Sequence, residues 1–500
     1  MEGKTILDLQ QAMQLGEFTT QSLCAYYLKR IDEIDKHGPK INAVIELNPD
    51  ALDIAKQLDT ERKRGKTRGP LHGIPILLKD NINTADRMQT TAGSLALAGN
   101  IARRDAFIVE RLRKAGALIL GKTNLSEWAN FRGHRSTSGW SSRGGLTRNP
   151  YVLNRTACGS SSGSGVAVAA DLCVAAIGTE TDGSIICPAH ANGIVGLKPT
   201  LGLVSRSGII PIAHSQDTAG PMVRNVSDAA ALLGVLTGMD RRDPATAGNS
   251  ASAHKDYTQF LDAGGLQGAR IGVARSLCGS HPRVLKVFED SLNVLRTAGA
   301  ILIDPVTLPN FKKLSEPEGK VLHQEFKTDL NAYLKGQGRH SPMRDMAAVI
   351  AFNEAHADTV LPYFGQECFV NAVASGPDTQ AAYEKALAHN LRLSRQGIDR
   401  AMQKHKLDAI IMPSGGPAWQ IDMVNGDSST YNGMTTTPAA VAGYPHITVP
   451  AGYIFGLPVG LSFMAGAWQE PMLLKLAYAF EQLTRVRQPP RYLAEVELAG

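Results

Sequence analysis

The chain has 500 residues, with 52 Lys and Arg against 46 Asp and Glu, a formal net charge of +6. That small surplus is spread along the whole length without a dense basic block, which excludes the electrostatic footprint of a nucleic-acid or anionic-membrane binder. With 43% hydrophobic residues, 49 Gly and 26 Pro, the composition is that of a folded globule and excludes disordered, collagen-like and coiled-coil chains.

A soft prior of about 150 residues per domain gives roughly three domains, although large α/β enzymes often fold as one unit. No apolar run reaches the roughly 18 residues of a membrane helix, the best being residues 166–178, which Asp171 interrupts. The first residues have neither a basic nor an apolar leader, so the cytoplasm is the expected compartment, or the periplasm or medium if a leader has been removed. Cys24, Cys158, Cys173, Cys187, Cys278 and Cys368 stand far apart with no C-x-x-C or Cys/His spacing. Free thiols in a reducing compartment are therefore expected, with neither a disulfide scaffold nor a zinc site.

Thr19 or Thr20 can cap a helix that puts Leu23, Tyr27, Ile31 and Ile34 on one face and ends at His37-Gly38. A short strand is expected over 41–47, then Asn48-Pro49 as N-cap and first turn of a helix running to about Gly65. The apolar run over 73–80 ends in Lys79-Asp80 and is followed by a helix over 106–115 and a strand over 117–120. Residues 156–165 are almost wholly small and allow tight turns, leading into a helix over 166–172 and a buried strand over 173–177. Residues 240–255 and 425–433 read as surface connections. The alternation of strand and helix predicts an α/β sheet.

Three short motifs compete for a functional reading. Residues 116–123 satisfy G-x-x-x-x-G-K-[ST], but a helix precedes them and their middle is strand-like, the reverse of a phosphate-cradling loop. Gly159-Ser160-Ser161-Ser162-Gly163 satisfies G-x-S-x-G, but a nucleophile elbow needs a buried strand before it, and residues 148–155 are polar and contain a proline. The elbow reading would make Ser161 the nucleophile and would need a histidine, and none of the thirteen histidines has a setting that singles it out. Residues 177–188 place Ser184 at the end of a loop leaving a buried strand, where successive backbone N–H groups can converge on one point.

Lys79, Ser160 and Ser184, with the sequence around them, resemble the amidase signature family. The resemblance rests on residues 71–81 and 121–127, on the Gly/Ser-rich stretch from Gly159 to Thr200, on residues 216–222, and on residues 442–461. It implies one amidase domain over 1–500, an α/β/α sandwich around a large mixed sheet. Its signature core would span about 70–235 and 406–485, with a substrate-shaping insert at about 240–405. It also implies a serine hydrolase that cleaves a carboxamide through an acyl-enzyme with neither metal nor cofactor. Ser184 would be the nucleophile, Ser160 the relay, Lys79 the base, and Ser161 a supporting hydroxyl. The N–H groups of Thr181, Asp182, Gly183 and Ser184 would form the oxyanion hole, and the Gly159–Ser160 peptide would be cis. A lysine can be a base only when neutral, and the apolar residues 74–78 would supply the desolvation. Asp80 should face away from Lys79.

The sequence departs from the family at Glu180, where aspartate is usual, at Asp182, where glycine is usual, and at Ile186, where arginine is common. Asp182 would either bind a substrate N–H or brace the loop. Residues 124–133 and 138–140, with Asp182 and Ile186, are most similar to bacterial peptide amidases, which remove the C-terminal amide of peptides. Trp128, Phe131, Trp140 and Trp419 would line an apolar channel or serve as plain core. The partner expected is a small-molecule or peptide amide, for a monomer or homodimer without nucleic acid or membrane. The alternatives are the amidase subunit of a tRNA-dependent glutamine amidotransferase, a broad-specificity aliphatic, aryl or fatty acid amide hydrolase, and a non-catalytic binding protein.

Overall fold

The computed structural model describes residues 1–249, 252–338, 341–374 and 379–498. Short apolar runs form its centre. The strands Pro75–Lys79, Leu118–Thr123, Ala175–Glu180 and Thr218–Val223 are buried at every position, as a sheet covered by helices on both faces requires. They belong to one mixed sheet of eleven strands. Its spatial order is Val44–Leu47, Leu118–Thr123, Pro75–Lys79, Ala175–Glu180, Thr218–Val223, Val195–Lys198, His446–Ile454, Leu457–Met464, Ala409–Pro413, Arg270–Val273 and Ile301–Ile303. The expectation of an α/β fold around a large mixed sheet holds.

Two of the boundaries that fall later than the sequence suggests have a local reason. Asn48 does not cap a helix, because its side chain donates to the Ile119 carbonyl at 2.8 Å and accepts the Asp50 N–H at 3.0 Å. The helix therefore runs Ala51–Lys63. The strand expected over 41–47 begins at Val44, because the Asp35 carboxylate takes the N–H groups of Ala43 and Val44. The first predicted helix is present as Thr20–Arg30 with Thr19 as its cap, and continues as a wider π turn, Ile31–Lys36.

Residues 240–405 do not stand apart from the sheet. Arg270–Val273 pairs parallel with Ala409–Pro413, and Ile301–Ile303 pairs parallel with Arg270–Val273. Two long helices from the same region, Ser315–Gln337 and Thr379–His405, pack on each other.

The register of the central strands positions the site. Pro75–Lys79 and Ala175–Glu180 are parallel neighbours, with Ile76 opposite Ala175 and Leu78 opposite Ile177. Lys79 and Thr179 therefore emerge together at the carboxyl edge of the sheet, where open α/β sheets place their ligands. Gly178 sits just before that edge. A Cβ there would lie 2.6 Å from Met222 Sδ and 2.9 Å from Ser161 Oγ, so only glycine lets the serine-rich turn approach.

Candidate active site

Lys79 is fully buried, and its Nζ donates to Ser160 Oγ at 2.7 Å, Thr179 Oγ1 at 2.8 Å, Ser161 Oγ at 3.0 Å and the Thr179 carbonyl at 3.2 Å. Desolvation pushes its amine down to about 7, against the opposing pull of Glu180 and Asp217. A large fraction is thus neutral near neutral pH and able to accept a proton. Asp80 turns the other way, taking bonds from Thr91 and from Arg143 at 3.2 Å.

The serine-rich turn meets this lysine with its members in distinct states. The Gly159–Ser160 peptide is cis, as the resemblance implies. Ser161 Oγ donates to the Thr179 carbonyl at 3.0 Å and accepts the Thr179 N–H at 3.2 Å, so its hydroxyl is fully engaged. Ser162 and Ser164 donate to the carbonyls of Cys158 and Ile177, at 2.5 and 3.2 Å. Ser160 Oγ takes a bond from Lys79 and from no other group among the described residues.

Ser184 follows on the next turn of chain, and its carbonyl accepts the Ser161 N–H at 3.1 Å, which locks the two loops together. Among the described residues, the N–H groups of Thr181, Asp182, Gly183 and Ser184 donate to no protein acceptor. The next two donors are taken. Glu180 Oε2 accepts from Ile185 and Ile186 at 2.8 and 3.0 Å, which gives this carboxylate a structural task at the start of the helix Ile186–Ala191. Gly183 has φ +78°, a conformation that glycine adopts freely. Thr181 Oγ1 donates to Asp217 at 2.5 Å. Asp182 Oδ2 accepts from Thr437 at 2.6 Å, the contact of a bracing side chain. Lys198 is buried beneath the loop, its amine pushed down to about 8 by desolvation and drawn back by Glu180, Glu470 and Asp182.

The cysteine expectation fails at one pair. Cys158 and Cys187 form a disulfide with Cα atoms 5.9 Å apart, joining the residue before Gly159 to the helix after Ser184. Their separation of 29 residues hides a proximity that arises only when the strand returns the chain to the same turn. Cys24, Cys173, Cys278 and Cys368 are free and buried.

The four aromatic residues occupy three settings. Trp128 packs edge-on to Phe369 at 5.2 Å, and Phe131 edge-on to Phe326 at 5.1 Å. Trp140 packs on Tyr363 and Phe364, and Trp419 donates its N–H to Asp427 at 3.2 Å. None of the four lines the cavity of about 250 Å³ that reaches Asn81, Thr179, Thr181 and Asp217. The pattern 116–123 is not a phosphate loop, since Lys122 lies buried on a strand with its Nζ bonded to Ile82 O, Gln89 O and Thr90 Oγ1.

Three residues beside the site were not among the expected site residues. Asn81 adjoins the lysine strand and donates to Thr179 Oγ1 at 3.0 Å. Gln216 donates to the Thr181 carbonyl at 3.2 Å and to Glu318 at 2.9 Å. Glu318 lies in the stretch expected as a substrate-shaping insert, and only tertiary structure brings it to Gln216.

A family description, Amidase, matches residues 22–474. The chain belongs to the amidase family. A probable amidase of Arabidopsis thaliana is 42% identical over 98% of this chain and 92% of its own length. The solved peptide amidase of Stenotrophomonas maltophilia is 53% identical, with a TM-score of 0.94 over 98% of this chain and 99% of its own. A glutamyl-tRNA(Gln) amidotransferase subunit of Symbiobacterium thermophilum is 36% identical over 97% of this chain and 98% of its own length. The resemblance read from the motifs is therefore a true membership, and the amidase is an amide-hydrolysing enzyme. Among the described residues no helix is long and apolar enough to cross a membrane.

Proposed function

We propose that this amidase hydrolyses the C-terminal carboxamide of peptides through a Ser184 acyl-enzyme, with Ser160 and Lys79 moving the protons. The observation that carries the reading is the 2.7 Å contact between a fully buried Lys79 and a Ser160 hydroxyl with no other protein partner among the described residues. Ser184 Oγ attacks the carbonyl carbon, its proton passes to Ser160 Oγ, and the Ser160 proton passes to neutral Lys79. The four free N–H groups of the loop hold the oxyanion, each such donor contributing about 3–4 kcal/mol to the lowered barrier. As the tetrahedral adduct collapses, the Lys79 ammonium returns the proton through Ser160 to the departing nitrogen, and ammonia leaves. Water attacks the acyl-enzyme by the same relay, releasing the carboxylic acid and restoring Ser184.

Similarity over nearly full length to a peptide amidase supports the substrate class, and similarity to an amidotransferase component supplies the alternative. We also propose a single catalytic domain, since residues 240–405 contribute strands to the common sheet. The Cys158–Cys187 disulfide favours an oxidising compartment over the cytoplasm expected from the sequence. Ammonia release from an amidated dipeptide, a free fatty amide and glutamine separates the readings. Release from the peptide amide alone is the expected result, and preference for glutamine would replace it with the amidotransferase reading.

A further inference from the structure

The Cys158–Cys187 disulfide ties together the two segments that carry Ser160 and Ser184. Cys158 stands two residues before Ser160, and Cys187 three residues after Ser184, in the first turn of the helix Ile186–Ala191. The Cys187 N–H donates to the Gly183 carbonyl at 2.7 Å, so this end of the bridge is fixed to the loop of the nucleophile. The other end is not relaxed. Cys158 has φ +53°, a left-handed conformation that a side chain disfavours and that persists only where its surroundings enforce it. Ser160 depends on that segment, because Lys79 is the one protein partner of its hydroxyl among the described residues and the backbone must aim it. Hydrogen bonds hold the same turn: Asn192 Nδ2 to the Ala157 carbonyl at 2.8 Å, the Ser161 N–H to the Ser184 carbonyl at 3.1 Å, and the Ser126 N–H to the Ser160 carbonyl at 3.1 Å. These keep the turn folded without the bridge. The bridge alone is covalent, and it ends on Cys158 itself.

We propose that Cys158 and Cys187 are positioning residues whose disulfide aims Ser160 between Ser184 and Lys79, and that a dithiol reductant slows the reaction by opening it. Cys187 is half-buried where Cys158 is buried, so one thiolate of the reductant attacks Cys187 Sγ and Cys158 leaves as a thiolate. The second thiolate of the reductant attacks the mixed disulfide, Cys187 leaves, and the reductant departs as a cyclic disulfide. Two electrons have passed to the protein, and its two thiolates take protons from water. Cys158 can then leave its left-handed conformation and turn the Gly159–Ser160 segment, which moves the Ser160 hydroxyl off the line of proton transfer. A displacement of about 1 Å in such a relay costs up to about a hundredfold in rate. This role rests on the proposed parts of Ser160 and Ser184.

Wild type is assayed on an amidated dipeptide before and after dithiothreitol, with the fold followed by circular dichroism and the competent sites counted with a fluorophosphonate. After reduction kcat should fall about ten- to a hundredfold with KM within about threefold, the signature of a displaced relay. The circular dichroism should not change, and the label should still reach one site per chain, more slowly. Oxidised glutathione should restore kcat. Cys158→Ser with Cys187→Ser should start at the reduced rate and respond to neither reagent, which separates the bridge from the four other cysteines. A reduced, folded wild type with kcat within about twofold of the oxidised enzyme overturns the inference. So does a bridge that dithiothreitol does not open in the folded enzyme. A loss of activity matched by loss of circular dichroism or of labelled sites overturns it too, by making the bridge a matter of folding alone. These arms use wild type and stand even if the double variant does not fold. Ser184→Ala run in parallel separates the two readings. Activity in Ser184→Ala would remove the mechanism itself, whereas a dead Ser184→Ala beside a reduced enzyme as fast as the oxidised one removes only this role of the bridge.

Discussion

Lys79 and Ser160 stand 81 residues apart in the chain and 2.7 Å apart in the fold. The lysine is held on the sheet and the serine on a turn, and Ser161 and Thr179 fix their mutual geometry by bonding both to the lysine and to each other.

The first prediction concerns pH. The base is active when neutral, and its amine titrates at about 7, so kcat/KM should rise with pH through that region and level off above it. Lys79→Arg should be as inactive as Lys79→Ala, because a guanidinium does not deprotonate in this range. A pH–rate profile on an amidated dipeptide checks both statements. An active arginine variant would remove the base from Lys79.

Gly183 provides the second. Its φ is +78°, and a Cβ would stand 3.1 Å from Thr436 Oγ1, so Gly183→Ala should twist the N–H groups beside Ser184 out of line. Loss of an oxyanion donor costs about 10²–10³ in kcat. Steady-state kinetics should show that loss with KM little changed, and an unaltered kcat would place the oxyanion elsewhere.

The disulfide gives a third. Unfolded without reductant, the protein should titrate as four thiols, and as six after reduction. Reduction, or the pair Cys158→Ser with Cys187→Ser, should lower the unfolding free energy by about 2–4 kcal/mol. Urea unfolding with and without reductant measures it.

Arg132 supplies a fourth, on stability. It is fully buried, pairs with Glu127 at 2.9 Å, donates to the carbonyls of Val360 and Phe364 at 2.7 and 2.9 Å, and stacks over the Phe364 ring at 3.9 Å. Arg132→Leu strands the Glu127 charge and should cost about 3–5 kcal/mol, and replacing both residues by Leu should cost less than Arg132→Leu alone. Denaturant midpoints for wild type and the two variants decide it.

Much of this site was legible in the chain because its parts are local. Lys79 closes an apolar run, the serine turn is compositionally unlike its surroundings, and Gly183-Ser184 ends the loop that leaves a buried strand. Those features signal themselves within ten residues. What could not be read depends on returns of the chain. Cys158 meets Cys187 only because the strand Ala175–Glu180 runs back beside the turn. Glu318 looks like any helical glutamate until the fold brings Gln216 to it, and Asn48 looks like a cap until Ile119 claims its side chain. The edge strand Ile301–Ile303 and its neighbour Arg270–Val273 were hidden for a related reason, since each is only three or four residues long.

The nucleophile is the central claim, and a fluorophosphonate probe tests it directly. After labelling and proteolysis, the adduct should map to Ser184, be absent from Ser184→Ala, and form more slowly in Lys79→Ala. An adduct that persists in Ser184→Ala and disappears in Ser161→Ala would contradict the account and make the Gly159–Gly163 turn a nucleophile elbow.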